Sequence, residues 1–195
     1  MIRTIDLRGT RPNREELLAL IPRNSLDVQT ASSIAAELIS DVCERGVLAL
    51  QEQAFNLDGV SGHNIRVPQE HIDQAVAELS SQLRSSLEET ISRVRLGSQA
   101  QVPSQTSTMI APGATIIQRW QPVERVGLYV PGGKAVYPSS VIMNVVPAQV
   151  AGVTSIALAS PPQVQYDGRV HPTILAAAGL LGISEVYAMG GAGAV

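Results

Sequence analysis

The sequence predicts an α/β protein in which a helical amino-terminal region precedes a partial parallel sheet. In the first half, apolar residues recur at steps of three and four, which is the period of a helix. After about residue 122, short β-branched runs alternate with helical stretches in the order strand, helix, strand, helix, strand. That order is typical of a parallel α/β unit. Hydrophobic residues make up 45% of the 195 residues and charged residues 16%, as in a globular protein.

Two helices mark the region of residues 1–100. The first has apolar residues on one helix face, namely Val28, Ala31, Ala35, Leu38 and Val42. Arg45 and Gly46 then supply a basic last turn and a glycine stop. A longer helix is expected from Pro68 to Leu96. Its apolar stripe consists of Ile72, Val76, Leu79, Leu83, Leu87, Ile91 and Val94.

Residues 101–122 are expected to form a connector with short strands, and residues 123–195 an incomplete nucleotide-binding domain. Its three strands are predicted at Arg125–Val130, Thr154–Ala159 and Glu185–Ala188. They show little polar alternation, which predicts burial on both faces. The two helices between them are predicted at Ser139–Ala151 and Pro172–Leu181. Pro147 is expected to break the first of these or to begin a second short helix.

Two glycine turns follow predicted strands and are the candidate functional segments. Tyr129, near the end of the first strand, precedes Pro131-Gly132-Gly133-Lys134, and the last strand precedes Met189-Gly190-Gly191-Ala192-Gly193. Parallel sheets bind ligands beyond the carboxyl ends of their strands, where glycines let backbone N–H groups approach phosphate. Lys134 would add a positive charge, and Tyr129 could present its ring and hydroxyl to a nucleotide. The alternative interpretation is two ordinary turns and a half-buried tyrosine.

Composition and spacing argue against several other functions. The net charge of −3 comes without a cluster of Lys and Arg, which argues against nucleic-acid binding. The longest apolar run, Ile174 to Ile183, is too short to span a membrane, and Cys43 is the only cysteine. We therefore expect a soluble cytoplasmic protein without a signal peptide. No metal site or catalytic residue is predicted, because His63, His71 and His171 lack metal-ligand spacing.

Several segments, read together, resemble the histidinol dehydrogenase family. The resemblance is dense from Val123 to the end and looser in the helical half. It rests on Val123–Gly133, Tyr137–Asn144, Pro147–Val153, Ser160–Pro162, Ile174–Ala178 and Glu185–Ala192, with Phe55–Val60 as an earlier element.

The resemblance implies oxidation of L-histidinol through L-histidinal to L-histidine, with two NAD molecules used in succession and one zinc ion. It implies a Glu–His pair for proton transfer and a homodimer that shares its sites. It also implies two incomplete Rossmann-like domains in an aldehyde-dehydrogenase-like architecture. Tyr129 matches a position that contacts NAD in the family.

The chain departs from the family pattern in three places. Family members continue past the position of Val195 for more than this length again, and the zinc ligands and the Glu–His pair belong to that part. Gly193 stands where the family has a glutamine that contacts NAD, and Leu96-Gly97-Ser98 replaces a Phe-His-Glu-like segment. The expected cofactor contacts are therefore Tyr129, Gly132, Gly133, Lys134 and Gly193.

We expect no turnover from these 195 residues alone. The alternatives are a truncated dimerisation or interaction module and an isolated nucleotide-binding domain.

Overall fold

The computed structural model describes residues 4–20, 28–132 and 135–195. Residues 1–34 and 35–195 form two separate compact units, and the larger unit contains every strand. The helices are α1 (Arg14–Leu20), α2 (Val28–Arg45), α3 (Val47–Gln53), α4 (Gln69–Ala77), α5 (Ser81–Gln99), α6 (Pro138–Val150) and α7 (Pro172–Leu180). The strands are β1 (Thr106–Ala111), β2 (Ala114–Gln118), β3 (Arg125–Tyr129), β4 (Ser155–Ser160) and β5 (Val186–Ala188). The domain boundaries expected at residues 100 and 122 stay predictions.

The first predicted helix is confirmed as α2, which ends at Arg45 as expected. Its apolar face is not buried: none of its residues is enclosed, and Val28 is 67% exposed. Cys43 is exposed on this helix. Helix α3 follows directly and passes into a single π turn over Ala54–Asp58, which Gly59 ends with a φ of 69°.

The long helix predicted from Pro68 to Leu96 is broken, so the expectation of one continuous helix is wrong. Helix α4 ends at Ala77, and α5 begins at Ser81. Ser80 causes the new start, because its hydroxyl accepts a hydrogen bond of 3.2 Å from the backbone N–H of Leu83. The apolar stripe still faces the core on both sides of the break, with Ile72 and Leu87 buried.

The three-stranded sheet is parallel, with strand order β3-β4-β5, and all three predicted strands are confirmed. Leu128, Leu158 and Val186 stand in register on one face, and this face packs into the core with residues of α6 and α7. The opposite face is partly open among the described residues: Gly127 is exposed and Tyr129 and Tyr187 are half-buried, whereas Ala159 is buried. The predicted burial is therefore complete on the face towards the helices and only partial on the other face.

Helix α6 continues through Pro147, so the predicted break is wrong as well. A proline within a helix removes one hydrogen bond, here the one to the carbonyl of Met143. Pro147 and Met143 both lie on the exposed side of the helix, where water can solvate that carbonyl. The buried side carries Val141, Ile142, Val145 and Val146, and their packing keeps the helix together.

Residues 106–118 form an antiparallel hairpin of β1 and β2, with no other strand paired to it in the described residues. Every residue of β1 is exposed, and no residue from 104 to 118 is charged. The hairpin exposes four large apolar side chains, those of Met109, Ile110, Ile116 and Ile117.

Two helical glycines give opposite predictions for the change to alanine. At Gly179 in α7 a Cβ would lie 2.5 Å from Val76 Cγ2 and 3.0 Å from Ile72 Cγ2 of α4, whereas at Gly97 in α5 it would meet nothing within 4 Å. Alanine improves helix propensity by about 1 kcal/mol, and overpacking costs about 1–3 kcal/mol. We expect Gly97→Ala to stabilise the fold and Gly179→Ala to destabilise it. Urea unfolding measures both, and equal shifts would contradict the packing seen here.

Candidate functional site

The carboxyl ends of β3, β4 and β5 meet at one edge of the sheet. Tyr129, Ala159 and Tyr187 stand side by side in the register of the three strands. Because the strands are parallel, the loops that follow them emerge at the same edge, where open α/β sheets bind their ligands. The two glycine turns singled out from the sequence belong to these loops.

Tyr129 joins the first strand to the glycine turn that follows the last strand. Its side chain is half-buried, and its hydroxyl oxygen accepts a hydrogen bond of 3.3 Å from the backbone N–H of Gly191. The hydroxyl proton can therefore still be donated to another group. The structure thus brings together two segments that lie 62 residues apart in the chain.

Gly132 is buried in the loop after β3 and lies tightly against the loop after β4. A Cβ at this position would be 2.9 Å from the hydroxyl oxygen of Ser160. The carboxamide nitrogen of Gln163 donates a hydrogen bond to the carbonyl oxygen of Gly132. A side chain at position 132 would push these loops apart. The neighbouring Gly133 and Lys134, also expected to contact the cofactor, lie outside the described residues.

Two glycines of the second turn also pack closely. A Cβ on Gly190 would be 2.9 Å from the ring of Pro161, which belongs to the loop after β4. A Cβ on Gly193 would collide with the carboxamide of Gln53 in α3 and lie 3.2 Å from Val42 Cγ2 of α2. A side chain at position 193, where the chain departs from the family pattern, would require the Gln53 carboxamide to move.

Four polar residues are buried in the described part of the chain, and each contacts this edge or its loops. They are Gln53, His63, Ser160 and Gln163, and the most exposed of them, Gln53, is 8% exposed. His63, for which the sequence predicts no metal-binding role, bonds through Nε2 to the carbonyl oxygen of Ala188 at 3.0 Å. The Ser160 hydroxyl has no hydrogen-bond partner among the residues that the structure describes. Sequence reasoning missed Gln53 and Gln163, because their partners are distant in the chain.

The charged groups of the sheet gather at its opposite, amino edge. The Arg125 guanidinium lies 2.5 Å from the Glu185 carboxylate, and the Tyr187 hydroxyl donates to the same carboxylate at 2.7 Å. These two hydrogen bonds lower the pKa of Glu185 to about 2. Arg66 lies 3.5 Å from Glu185 as well. Among the described residues, the carboxyl edge is lined mainly by uncharged polar groups and glycines.

A cavity of about 140 Å³ lies on the open face of the sheet beside this edge. It is lined by Tyr129, Ala157, Ala159, Tyr187 and Met189, together with other residues of the strands and of the chain end. The small side chains of Ala157 and Ala159 leave the space between the two tyrosines empty. The cavity has more apolar than polar wall and is suited to a flat apolar group.

His171 caps the amino end of α7 and gives the stability of the fold a pH dependence. Its Nδ1 accepts a hydrogen bond of 3.1 Å from the backbone N–H of Thr173, and its Nε2 lies 3.1 Å from the hydroxyl of Tyr166. Burial lowers the pKa of His171 below its ordinary value of 6.5. The folded state therefore favours the neutral ring, because protonation of Nδ1 would remove the cap.

We expect the stability that His171 provides to be complete above pH 6.5 and to be lost progressively as the pH falls below that value. Thermal unfolding measured from about pH 7.5 to about 5.5 checks this. The variant His171→Ser keeps a capping oxygen but does not titrate, so its melting temperature should vary less over the same range. An identical pH dependence in the variant would rule out His171 as the source.

No three His, Cys, Asp or Glu side chains lie close enough to bind a metal ion within residues 4–20, 28–132 and 135–195. None of the helices in these ranges combines the length and the apolar character that a bilayer span requires. The expectation that this chain supplies no zinc ligand stays a prediction.

The sequence profile of histidinol dehydrogenases matches residues 21–195 of the chain. The chain belongs to this family. It is 62% identical to the histidinol dehydrogenase of Leifsonia xyli, covering 100% of this chain and 44% of that protein. It is 51% identical to the enzyme of Mycobacterium tuberculosis (strain ATCC 25618 / H37Rv), covering 98% of this chain and 43% of that protein. This family member thus spans less than half the length of these relatives.

The fold agrees with that of a solved member of the histidinol dehydrogenase family. The crystal structure of histidinol dehydrogenase from Elizabethkingia anophelis matches with a TM-score of 0.82 and 28% sequence identity. The match covers 94% of this chain and 42% of that one. It confirms the mixed α/β fold with a parallel sheet.

Proposed function

We propose that this chain supplies the dinucleotide-binding sheet edge of a histidinol dehydrogenase. The complete protein would oxidise L-histidinol through L-histidinal to L-histidine with two NAD molecules, and these residues would be its amino-terminal part. The observation that carries the proposal is the meeting of two glycine turns at one edge of a parallel sheet, joined by the Tyr129 hydroxyl. The description of this sheet as one of two incomplete Rossmann-like domains in an aldehyde-dehydrogenase-like architecture belongs to the same proposal.

The residues at this edge fit a dinucleotide. Tyr129 offers a half-exposed ring and a donatable hydroxyl proton, and Gly132 lets the loop after β3 pack closely against the loop after β4. The Ser160 hydroxyl beside Gly132 makes no hydrogen bond to any other described residue. NAD, when bound, would supply the hydride acceptor. Gly133, Lys134 and Gly193 complete the proposed set of contacts.

The remaining chemistry of the family is not assigned to residues of this chain. By resemblance, the zinc ion would bind the imidazole and the amine of the substrate, and a Glu–His pair would transfer protons. The described residues hold no metal-ligand set that fits zinc. We therefore assign no step through zinc to this chain. The homodimer and the cytoplasmic location are also proposals that rest on the family.

Titration of the purified 195-residue chain with NAD, followed by calorimetry, tests the cofactor assignment. We expect saturable binding with one NAD per chain, and no histidinol-dependent NADH formation. A chain that folds but takes up no NAD would overturn the assignment of the sheet edge. Histidinol oxidation by these residues alone would overturn the assignment of catalysis to another part of the protein. For the complete reading frame, absence of turnover with its zinc bound would overturn the enzyme function.

The exposed hairpin of β1 and β2 favours a second candidate function, an interaction module. An isolated two-stranded hairpin is marginally stable in water, and its strand edges can pair with other strands. The absence of charge from residue 104 to residue 118 would suit a symmetric contact between two copies, where equal charges would repel each other.

Light scattering after size-exclusion chromatography tests this second candidate. If the hairpin mediates association, the chain should elute as a dimer and Ile117→Lys as a monomer, since a buried lysine is costly. Leu96→Lys is the matched control, because Leu96 is 66% exposed on α5 and Ile117 is 58% exposed. A monomeric wild-type chain would refute the candidate.

A further inference from the structure

Gln163 is a buried carboxamide that connects two of the three loops at the carboxyl edge. It lies in the loop after β4 and is 5% exposed. Its backbone is fixed by the turn that follows: its N–H donates to the carbonyl of Arg169 at 3.0 Å, and its carbonyl accepts from the N–H of Gly168 at 2.9 Å. The side chain therefore extends from a fixed base towards the loop after β3.

Both the nitrogen and the oxygen of the Gln163 carboxamide make hydrogen bonds. Nε2 donates to the carbonyl oxygen of Gly132, and Oε1 accepts a hydrogen bond of 3.2 Å from Nε2 of Gln165. A Cβ at position 132 would lie 2.9 Å from the Ser160 hydroxyl oxygen, so a residue larger than glycine would not fit this close to β4. The loop after β3 is thus fixed by a hydrogen bond on its carbonyl and by a close contact.

The same loop after β4 is connected to the last strand on its other side. A Cβ on Gly168 would lie 2.8 Å from His63 Cβ, and His63 Nε2 bonds to the carbonyl oxygen of Ala188 at 3.0 Å. Gln163 on one side and the Gly168–His63 contact on the other therefore link all three loops. Such a set of buried polar contacts fixes the distances between loops before any ligand binds.

We propose that Gln163 is a positioning residue for the dinucleotide. It fixes the backbone of Pro131 and Gly132 at the distance from Tyr129 and Gly191 that the phosphates of the ligand require. This inference rests on the proposed NAD site and adds a residue that touches the loop rather than the ligand. The amide is required because it donates: a carboxylate of equal size would face the carbonyl of Gly132 with two acceptors.

The test compares Gln163→Glu with the wild-type 195-residue chain. We expect faster hydrogen–deuterium exchange at residues 130–132 and NAD binding weakened about tenfold, as for the loss of one buried hydrogen bond. Gln118→Glu is the matched control, since it makes the same chemical change at an exposed position of β2. Gln163→Asn, which keeps an amide but shortens its reach, should give the same two effects with no buried charge.

A pH series separates positioning from a general loss of structure. On protonation at low pH the introduced carboxyl regains an O–H donor, so NAD affinity of Gln163→Glu should recover towards that of the wild type. Gln163→Asn should show no such recovery.

Unchanged exchange and unchanged NAD affinity in both Gln163 variants would overturn the inference. A wild-type chain that binds no NAD would instead overturn the proposed function and the ligand named here. The exchange experiment would still decide whether Gln163 fixes the loop.

Discussion

Alanine in place of Tyr129 is expected to weaken NAD binding by about 10- to 100-fold. An aromatic ring that stacks against a nucleotide contributes about 1–3 kcal/mol, and this variant removes both the ring and the hydroxyl. The change should leave the fold intact, because Tyr129 lies on the open face of the sheet and not in the core. Calorimetric titration of the 195-residue chain measures the effect.

Two control variants show whether the loss of NAD affinity in Tyr129→Ala comes from the ring of this residue. Tyr129→Phe keeps the ring and removes only the hydroxyl, which accepts the 3.3 Å bond from Gly191 and can donate its proton, so we expect a smaller loss of less than about tenfold. Trp120→Ala removes an aromatic ring that is 60% exposed outside the sheet edge and should leave the affinity unchanged. Equal losses in Tyr129→Ala and Trp120→Ala would refute a nucleotide site at this edge.

Leu158→Ala is expected to lower the free energy of unfolding by about 2–5 kcal/mol, the range for a fully buried leucine. Leu158 lies in the middle strand, has 0% exposure, and stands in register between Leu128 and Val186. Its removal opens a cavity between the sheet and the helices of the core. Urea unfolding followed by circular dichroism measures the change.

Val164→Ala is the control for Leu158→Ala, because Val164 is 58% exposed in the loop after β4. Exposed substitutions of this kind change stability by about 0.5 kcal/mol or less. If Leu158→Ala shifted stability no more than Val164→Ala, the central position of β4 in the core would be wrong.

The sequence predicted the order of the strands and helices well, because their signals are local. The buried runs that became β3, β4 and β5 and the periodic residues of α2 can be found in windows of a few residues. The two errors in the helices have causes that compete with periodicity. Ser80 offers a cap inside an otherwise continuous stripe, and exposure of Pro147 lets α6 tolerate a proline.

The candidate site was predictable only in part. The glycine turns and Tyr129 could be identified, because strand ends and glycines are visible in the sequence. The buried polar contacts could not: His63 bonds to Ala188 across 125 positions, and Gln163 to Gly132 across 31. Local patterns carry no information about such pairs. The residues around His63 are therefore typical of an ordinary polar turn, although the histidine itself is only 7% exposed.

The close packing of Gly193 on α2 has a practical consequence for spectroscopy. Val42, whose Cγ2 lies 3.2 Å from the position of a Cβ on Gly193, directly precedes Cys43. Cys43 is exposed and is the only thiol in the 195 residues. A maleimide fluorophore would therefore attach at one known place without mutagenesis. Its emission should report when the glycine turn moves, which gives NAD titrations an optical signal from the unmodified sequence.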